Sequence, residues 1–200
     1  MDLTSYIKEK NVTINEGFSQ QLPWQIKDLT LLAKGAKKIM EIGFNAGHSS
    51  EVFLNLNSEV TVVSFDLGVY HSVSVGKEYI DKKFPGRHTL ILGDSTQTVP
   101  KYSQENPNMK FDFIFIDGGH DYHIAKADLD NCRVLADNNT IVAIDDTIFT
   151  SYDWMKFYNK GPTAAWTEGI NSGLVKQIFS RDYMNGRGMS WGKYINQPPQ

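Results

Sequence analysis

Four aspartates, a histidine and a glycine loop stand where apolar runs of this chain end. Residues 41–49 read Glu-Ile-Gly-Phe-Asn-Ala-Gly-His-Ser and follow the apolar pair Ile39-Met40. A strand that leads through two glycines into a helix leaves the first helical N–H groups facing outward, where an anionic group can be held. Asp66 closes the run from Val60 to Phe65, about 20 residues beyond the glycines, the spacing of a ribose-binding carboxylate in a βαβ unit. Asp117 follows Phe113-Ile114-Phe115-Ile116, and Asp145-Asp146 follow Ile141-Val142-Ala143-Ile144. If those two strands are neighbours, three carboxylates face one crevice and repel one another, and a hard divalent cation is the simplest group to join them. His120, close behind Asp117, adds an imidazole able to take a proton near neutral pH. A hydroxyl at such a cation loses its proton more readily, the activation that transfer of a group to oxygen requires.

The loop also says which cofactor to expect. Asn45 occupies the place where the dinucleotide fingerprint G-x-G-x-x-G needs its second glycine. That glycine lets backbone press against a pyrophosphate, and a cofactor without phosphate does not need it. S-adenosylmethionine is such a cofactor: its carboxylate suits the helix N-terminus, its ammonium an acid such as Glu41, and its ribose diol Asp66. Each residue has a plainer structural reading as well. Gly43 and Gly47 could make a tight turn, Asp66 could end a strand, and Asp117, Asp145 and Asp146 could cap helices. His120 could be a solvated loop residue, and His48, His71, His88 and His123, with no partner pattern, read as surface residues. The tryptophans Trp24, Trp154, Trp166 and Trp191 read as core or rim packing, with Trp154 just past the aspartates, where a substrate wall would stand.

The elements that must position these residues alternate. Pro23 and the apolar spacing of Ile26, Leu29 and Ala33 predict a helix from Trp24 to Gly35, ahead of a first strand that ends at the glycine loop. Val52, Phe53 and Leu56 mark the next helix, and residues 59–65 a second strand. A helix over 73–84, stopped by Pro85-Gly86, precedes a third strand over 88–92. The fourth strand spans 111–116, a helix carries Ala125, Leu129, Cys132 and Ala136, and the fifth strand spans 140–144. Such alternation predicts an open parallel sheet with helices on both faces and ligands at the carboxyl ends of the strands. Residues 174–181 and 189–195 then read as strands joined by an Asn185-Gly186 turn, an antiparallel hairpin that the dinucleotide-binding fold lacks.

Two hundred residues at 40% hydrophobic content suit a single domain over 1–200. A net charge of −3 without long basic blocks gives nucleic acid no electrostatic footprint and favours a small-molecule substrate. The single Cys132 reads as a buried hydrophobe, and no leader or membrane-spanning run is legible, so a cytoplasmic location is expected. Residues 196–200 read as a frayed tail. Monomer and homodimer stay equally open.

Five motifs in order resemble the class I S-adenosylmethionine-dependent methyltransferases, and within them the metal-dependent O-methyltransferases of small molecules. They are Glu41-Ile-Gly-Phe-Asn-Ala-Gly47, Phe65-Asp66-Leu67, Gly93-Asp94-Ser95, Phe115-Ile-Asp117-Gly118-Gly-His120-Asp-Tyr and Ala143-Ile-Asp145-Asp146-Thr147, within a resemblance from about residue 17 to 195. The resemblance implies a Rossmann-like α/β fold with a mostly parallel seven-stranded sheet closed by the antiparallel hairpin. It implies cofactor contacts from Glu41, Gly43, Phe44, Asn45, Gly47, Ser49, Asp66, Leu67, Asp94, Ser95, Asp117 and Gly118. Asp94 or Ser95 would meet the adenine. Mg2+ would be held by Asp117, Asp145 and Asp146. The family's base stands three residues after the first metal ligand, a lysine in catechol-type enzymes and a histidine in macrolide-sugar enzymes. His120 sits there, which leans the expected acceptor toward a sugar hydroxyl, while Asp146 stands where the catechol enzymes have asparagine. Competing expectations are a nucleic-acid methyltransferase, which would need salt-sensitive binding, a non-catalytic S-adenosylmethionine-binding module, and a nicotinamide dehydrogenase, against which Asn45 and the hairpin both speak.

Overall fold

Five apolar runs become parallel strands because both of their faces are covered. In the computed structural model, which describes residues 1–14, 22–149, 156–183 and 186–195, they are β1 (Lys38–Ile42), β2 (Thr61–Asp66), β3 (His88–Leu92), β4 (Phe113–Ile116) and β5 (Ile141–Asp145). Every residue of β4 is buried, as its unbroken apolar sequence requires of a central parallel strand. The last two strands, β6 (Val175–Asp182) and β7 (Gly188–Tyr194), form the antiparallel hairpin, with β7 paired to β5. The seven strands run in the order β3-β2-β1-β4-β5-β7-β6. Chain direction through the sheet therefore reverses between β1 and β4, the switch point at which such sheets open a crevice beyond their carboxyl ends.

Strand alternation sends neighbouring side chains to opposite faces, and each face has its own core. Ile39, Phe113 and Phe115 point to one side, where they meet α1 (Leu3–Glu9), α2 (Pro23–Leu32), α3 (His48–Leu54) and α4 (His71–Lys83). Met40, Ile42, Ile114 and Ile116 point to the other, covered by α5 (Ser95–Glu105), α6 (Tyr122–Cys132) and α7 (Phe157–Asn171). Burying each large apolar side chain stabilises by about 1.5–3 kcal/mol relative to exposure.

Three helices have no clear signal in the sequence. In α5 only Val99 is buried and Pro100 interrupts the interior, so its pattern is weak; it starts because Asp94 caps it, accepting from Thr96 N at 2.9 Å. In α7 Gly161 and Pro162 read as breakers, yet packing of Ala165 and Trp166 into the core holds the helix. The short α1 docks Leu3 and Ile7 against the sheet's first face.

His48 and His88 are not surface residues. His48 is 3% and His88 7% exposed, and burial takes both imidazoles down to about 4. Trp24 is exposed beneath Lys27 rather than packed, whereas Trp166, Trp191 and Cys132 are buried. Trp154, Asn185 and residues 196–200 lie outside the described residues. Among the described residues, no helix is long and apolar enough to cross a membrane.

Candidate active site

The glycine loop between β1 and α3 is held from below and from the side by two carboxylates. Glu41, fully buried in β1, accepts hydrogen bonds from the hydroxyls of Ser49 and Ser50 on α3 and from Ser64 Oγ of β2 at 2.6 Å. Burial pushes its carboxyl up to about 7 against the pull of those three hydroxyls. Asp66, at the end of β2, accepts from Phe44 N at 2.9 Å and Asn45 N at 2.8 Å through Oδ2, and from Gly68 N at 2.7 Å through Oδ1. An ionised carboxylate has about four acceptor sites, so Asp66 ties down the loop and keeps capacity for a further donor. Asn45 stands at φ +46°, in the left-handed region that asparagine tolerates, and its Oδ1 accepts from Ser72 Oγ at 2.9 Å. Gly43 is there for closeness. At φ +91°, a Cβ on it would lie 1.8 Å from the Asp117 carbonyl oxygen, so the β1 and β4 loops touch only because residue 43 has no side chain.

Across that contact lies the acid cluster. Asp117, His120 and Asp146 each bring one ligand atom within 4.8 Å of the others', and His120 Nε2 is 3.1 Å from Asp146 Oδ2. Asp146 reaches there because it has left the strand, at φ +54°. Asp145 is still in β5, 3% exposed, and stands outside the group. Burial first, then Asp145 and Asp146, raise the Asp117 carboxyl well above the usual carboxylate range, with Arg187 opposing. Burial and Asp146 push Asp145 up to about 7. The Oδ1 atoms of Asp145 and Asp146 are buried and accept no hydrogen bond. The Asp117 carboxylate and Asp146 Oδ2, with the His120 imidazole beside them, are a donor set that fits a divalent cation.

Loop and cluster wall a single cavity of about 630 Å³, within the range of small-molecule and cofactor sites. Of the residues singled out in the sequence, Gly43, Phe44, Asn45, Ser49, Asp66 and Leu67 line it from the β1 and β2 ends, and Asp94, Ser95, Asp117, Gly118, His120 and Asp146 from the others. Glu41, Gly47 and Asp145 do not. Three serine hydroxyls meet the Glu41 carboxylate, which lies behind the cavity wall and ties the loop to α3 and β2. Gly47, at φ +87°, caps α3 with Phe44's ring against it. Asp94 faces the cavity while its carboxylate caps α5, accepting from both N and Oγ1 of Thr96.

Arg187, Tyr158 and His48 also line the cavity and carry no motif. Arg187 comes from the turn of the hairpin, where a charged residue ordinarily points to solvent. Tyr158 opens α7, its ring 6.1 Å from that of His120. Gly161 in the same helix packs on the His120 loop, for a Cβ there would lie 2.1 Å from His120 O. His48 could be found only as the residue after Gly47.

The profile of the methyltransferase domain family matches residues 40–147, the stretch from β1 through the acid cluster. No curated protein matches the chain in sequence. In fold it is similar to an O-methyltransferase from Bacillus cereus solved in complex with SAH, with 19% identity, a TM-score of 0.73, and coverage of 96% of this chain and 88% of that one. It is also similar to the O-methyltransferase TomG of Streptomyces achromogenes, involved in tomaymycin synthesis and solved with SAM, at 15% identity and TM-score 0.72 over 97% and 88% of the two chains. A TDP-rhamnose 3'-O-methyltransferase of calicheamicin biosynthesis, solved in the apo state, aligns at 20% identity and TM-score 0.61 over 97% and 92%.

Proposed function

This chain belongs to the methyltransferase domain family, and from that premise we propose that it is an S-adenosylmethionine-dependent O-methyltransferase acting, with Mg2+, on a hydroxyl of a small molecule such as a sugar, polyol or phenol. The observation that carries the reading is the position of Asp117, His120 and Asp146 on the wall of the cavity that the glycine loop opens. The O-methyltransferases named by the similar folds support the oxygen acceptor.

In this reading the first N–H groups of α3 hold the cofactor's carboxylate, Asp66 accepts from its ribose, and Ser95 borders the adenine. Asp117 and Asp146 hold the ion, which when bound supplies a Lewis acid that lowers the hydroxyl's pKa. His120 takes the hydroxyl proton at a ring nitrogen, with Asp146 beside Nε2 fixing the imidazole's orientation. The acceptor's O–H bond is exchanged for an O–CH3 bond, the methyl's bond to sulfur breaks, and S-adenosylhomocysteine leaves.

Calorimetry with S-adenosylhomocysteine tests the base of the reading: the chain is expected to bind it, and Asp66→Ala to weaken binding at least tenfold, the scale of hydrogen bonds to a charged group. A chain that bound NAD and ignored S-adenosylhomocysteine would falsify it. Turnover is read by screening hydroxylated sugars and phenols with radiolabelled cofactor. Chelation with EDTA is expected to abolish transfer while changing cofactor affinity by less than about threefold, and Mg2+ to restore it. Activity indifferent to EDTA would return the aspartates to structural roles.

A further inference from the structure

The hairpin delivers a cation into the acid cluster. Arg187 Nη2 lies 3.9 Å from Asp145 Oδ2 and its Nε 3.5 Å from Asp146 Oδ1, with only 18% of the side chain exposed. Among the described residues, it is the only arginine or lysine that lines the cavity. Its backbone is fixed on both sides. Arg187 O accepts from Tyr183 N at 2.6 Å, and Gly186 O accepts from the buried Asn159 Nδ2 at 2.9 Å. Gly188, the next residue, packs so closely on β5's exit that a Cβ would lie 2.1 Å from Thr147 O. The guanidinium thus reaches the cluster from a backbone position that hydrogen bonds and close packing hold in place.

Two carboxylate oxygens of the cluster thus lie within ion-pair distance of the guanidinium, while Asp117, grouped with His120 and Asp146, feels its charge only from farther off. We propose that Arg187 is a built-in counter-ion that claims Asp145 and Oδ1 of Asp146, so that a divalent cation is confined to Asp117 and the Oδ2 side of Asp146 and bound more weakly than three carboxylates alone would bind it. The inference rests on the metal-assisted reading above. It explains why Asp145, adjacent in sequence to a candidate ligand, is grouped with the arginine. It also gives the site a charge balance. With a divalent ion bound and all three carboxyls ionised, the carboxylates and the one guanidinium would leave two negative charges, which the ion would neutralise.

The test is Mn2+ binding to the full chain, followed by electron paramagnetic resonance without turnover and competed with Mg2+. Arg187→Met is expected to tighten Mn2+ at least fivefold, the scale of one guanidinium–carboxylate attraction across about 4 Å at the dielectric of water, which the variant returns to the ion. Arg187→Lys, which keeps the charge but loses the planar fork, is expected to stay within about threefold of the unaltered chain. Arg187→Gln serves as a second neutral variant should the methionine form not fold. Unchanged or weaker Mn2+ binding in both neutral variants, equal tightening in the lysine variant, or no Mn2+ bound by any form would overturn the proposal. S-adenosylhomocysteine calorimetry on the same samples separates the two failures. If the unaltered chain binds both S-adenosylhomocysteine and Mn2+ and the neutral variants do not tighten the ion, the counter-ion role alone falls; if it binds S-adenosylhomocysteine but no Mn2+, the metal-assisted part of the reading falls with it; if it does not bind S-adenosylhomocysteine, the functional reading falls.

Discussion

His120→Ala is expected to lower kcat by about 10²–10⁴, the ordinary scale for removing a positioned base, with cofactor affinity little changed. The expectation comes from place as well as residue type. His120 lines the cavity beside the acid cluster, its Nε2 lies 3.1 Å from Asp146 Oδ2, and Gly161 of α7 supports the backbone of its loop from behind. A carboxylate against one ring nitrogen orients the imidazole toward its proton donor, and a neutral imidazole is the form that accepts. The unaltered chain should therefore gain rate as pH rises through an imidazole limb that the alanine variant lacks. His120 is also within reach of the candidate metal ligands, so the same variant must be tested for Mn2+ binding. Affinity within about threefold of the unaltered chain, together with the lost limb, identifies a base. A variant that keeps its pH profile and most of its rate would remove His120 from proton transfer.

Gly43→Ala is expected to abolish measurable S-adenosylhomocysteine binding and to lower stability by roughly 2–5 kcal/mol, combining left-handed backbone strain with overpacking. The added Cβ would meet the Asp117 carbonyl oxygen at 1.8 Å and its carbonyl carbon at 2.7 Å. Backbone that carries the acid cluster cannot give way as a flexible side chain would. The loop would part from the β4 end, opening the cavity and displacing Asp117. Gly35 makes the control, since it shares a positive φ of +87° but has no atom within 4 Å of an added Cβ. Gly35→Ala should show only the strain, about 1–2 kcal/mol, and bind S-adenosylhomocysteine as before. Chemical denaturation and calorimetry on the two variants read both effects. Normal binding by Gly43→Ala would mean that the loop does not form the cofactor wall.

What the sequence by itself determined about this protein is its short-range order. Apolar runs of four to six residues make parallel strands, β4 most plainly, because burial on both faces leaves no place for a polar residue. The glycine loop, the aspartates at strand ends and the closing hairpin were legible for the same reason, since each depends on residues near one another in the chain. The tertiary structure decided which side chains face the crevice. Asp145 and Asp146 look equivalent in sequence, yet extended backbone sends successive residues to opposite sides; only the turn of Asp146 to φ +54° brings it to His120. Glu41 stands in the glycine motif in sequence, and only the fold shows Ser49, Ser50 and Ser64 meeting its carboxylate from two other elements. Arg187 lies 41 positions beyond Asp146 in a hairpin turn. Nothing local directs it inward; the pairing of β7 with β5 carries it to the acids, because a charge's partner is set by which strands lie side by side and not by the residues next to it in the chain.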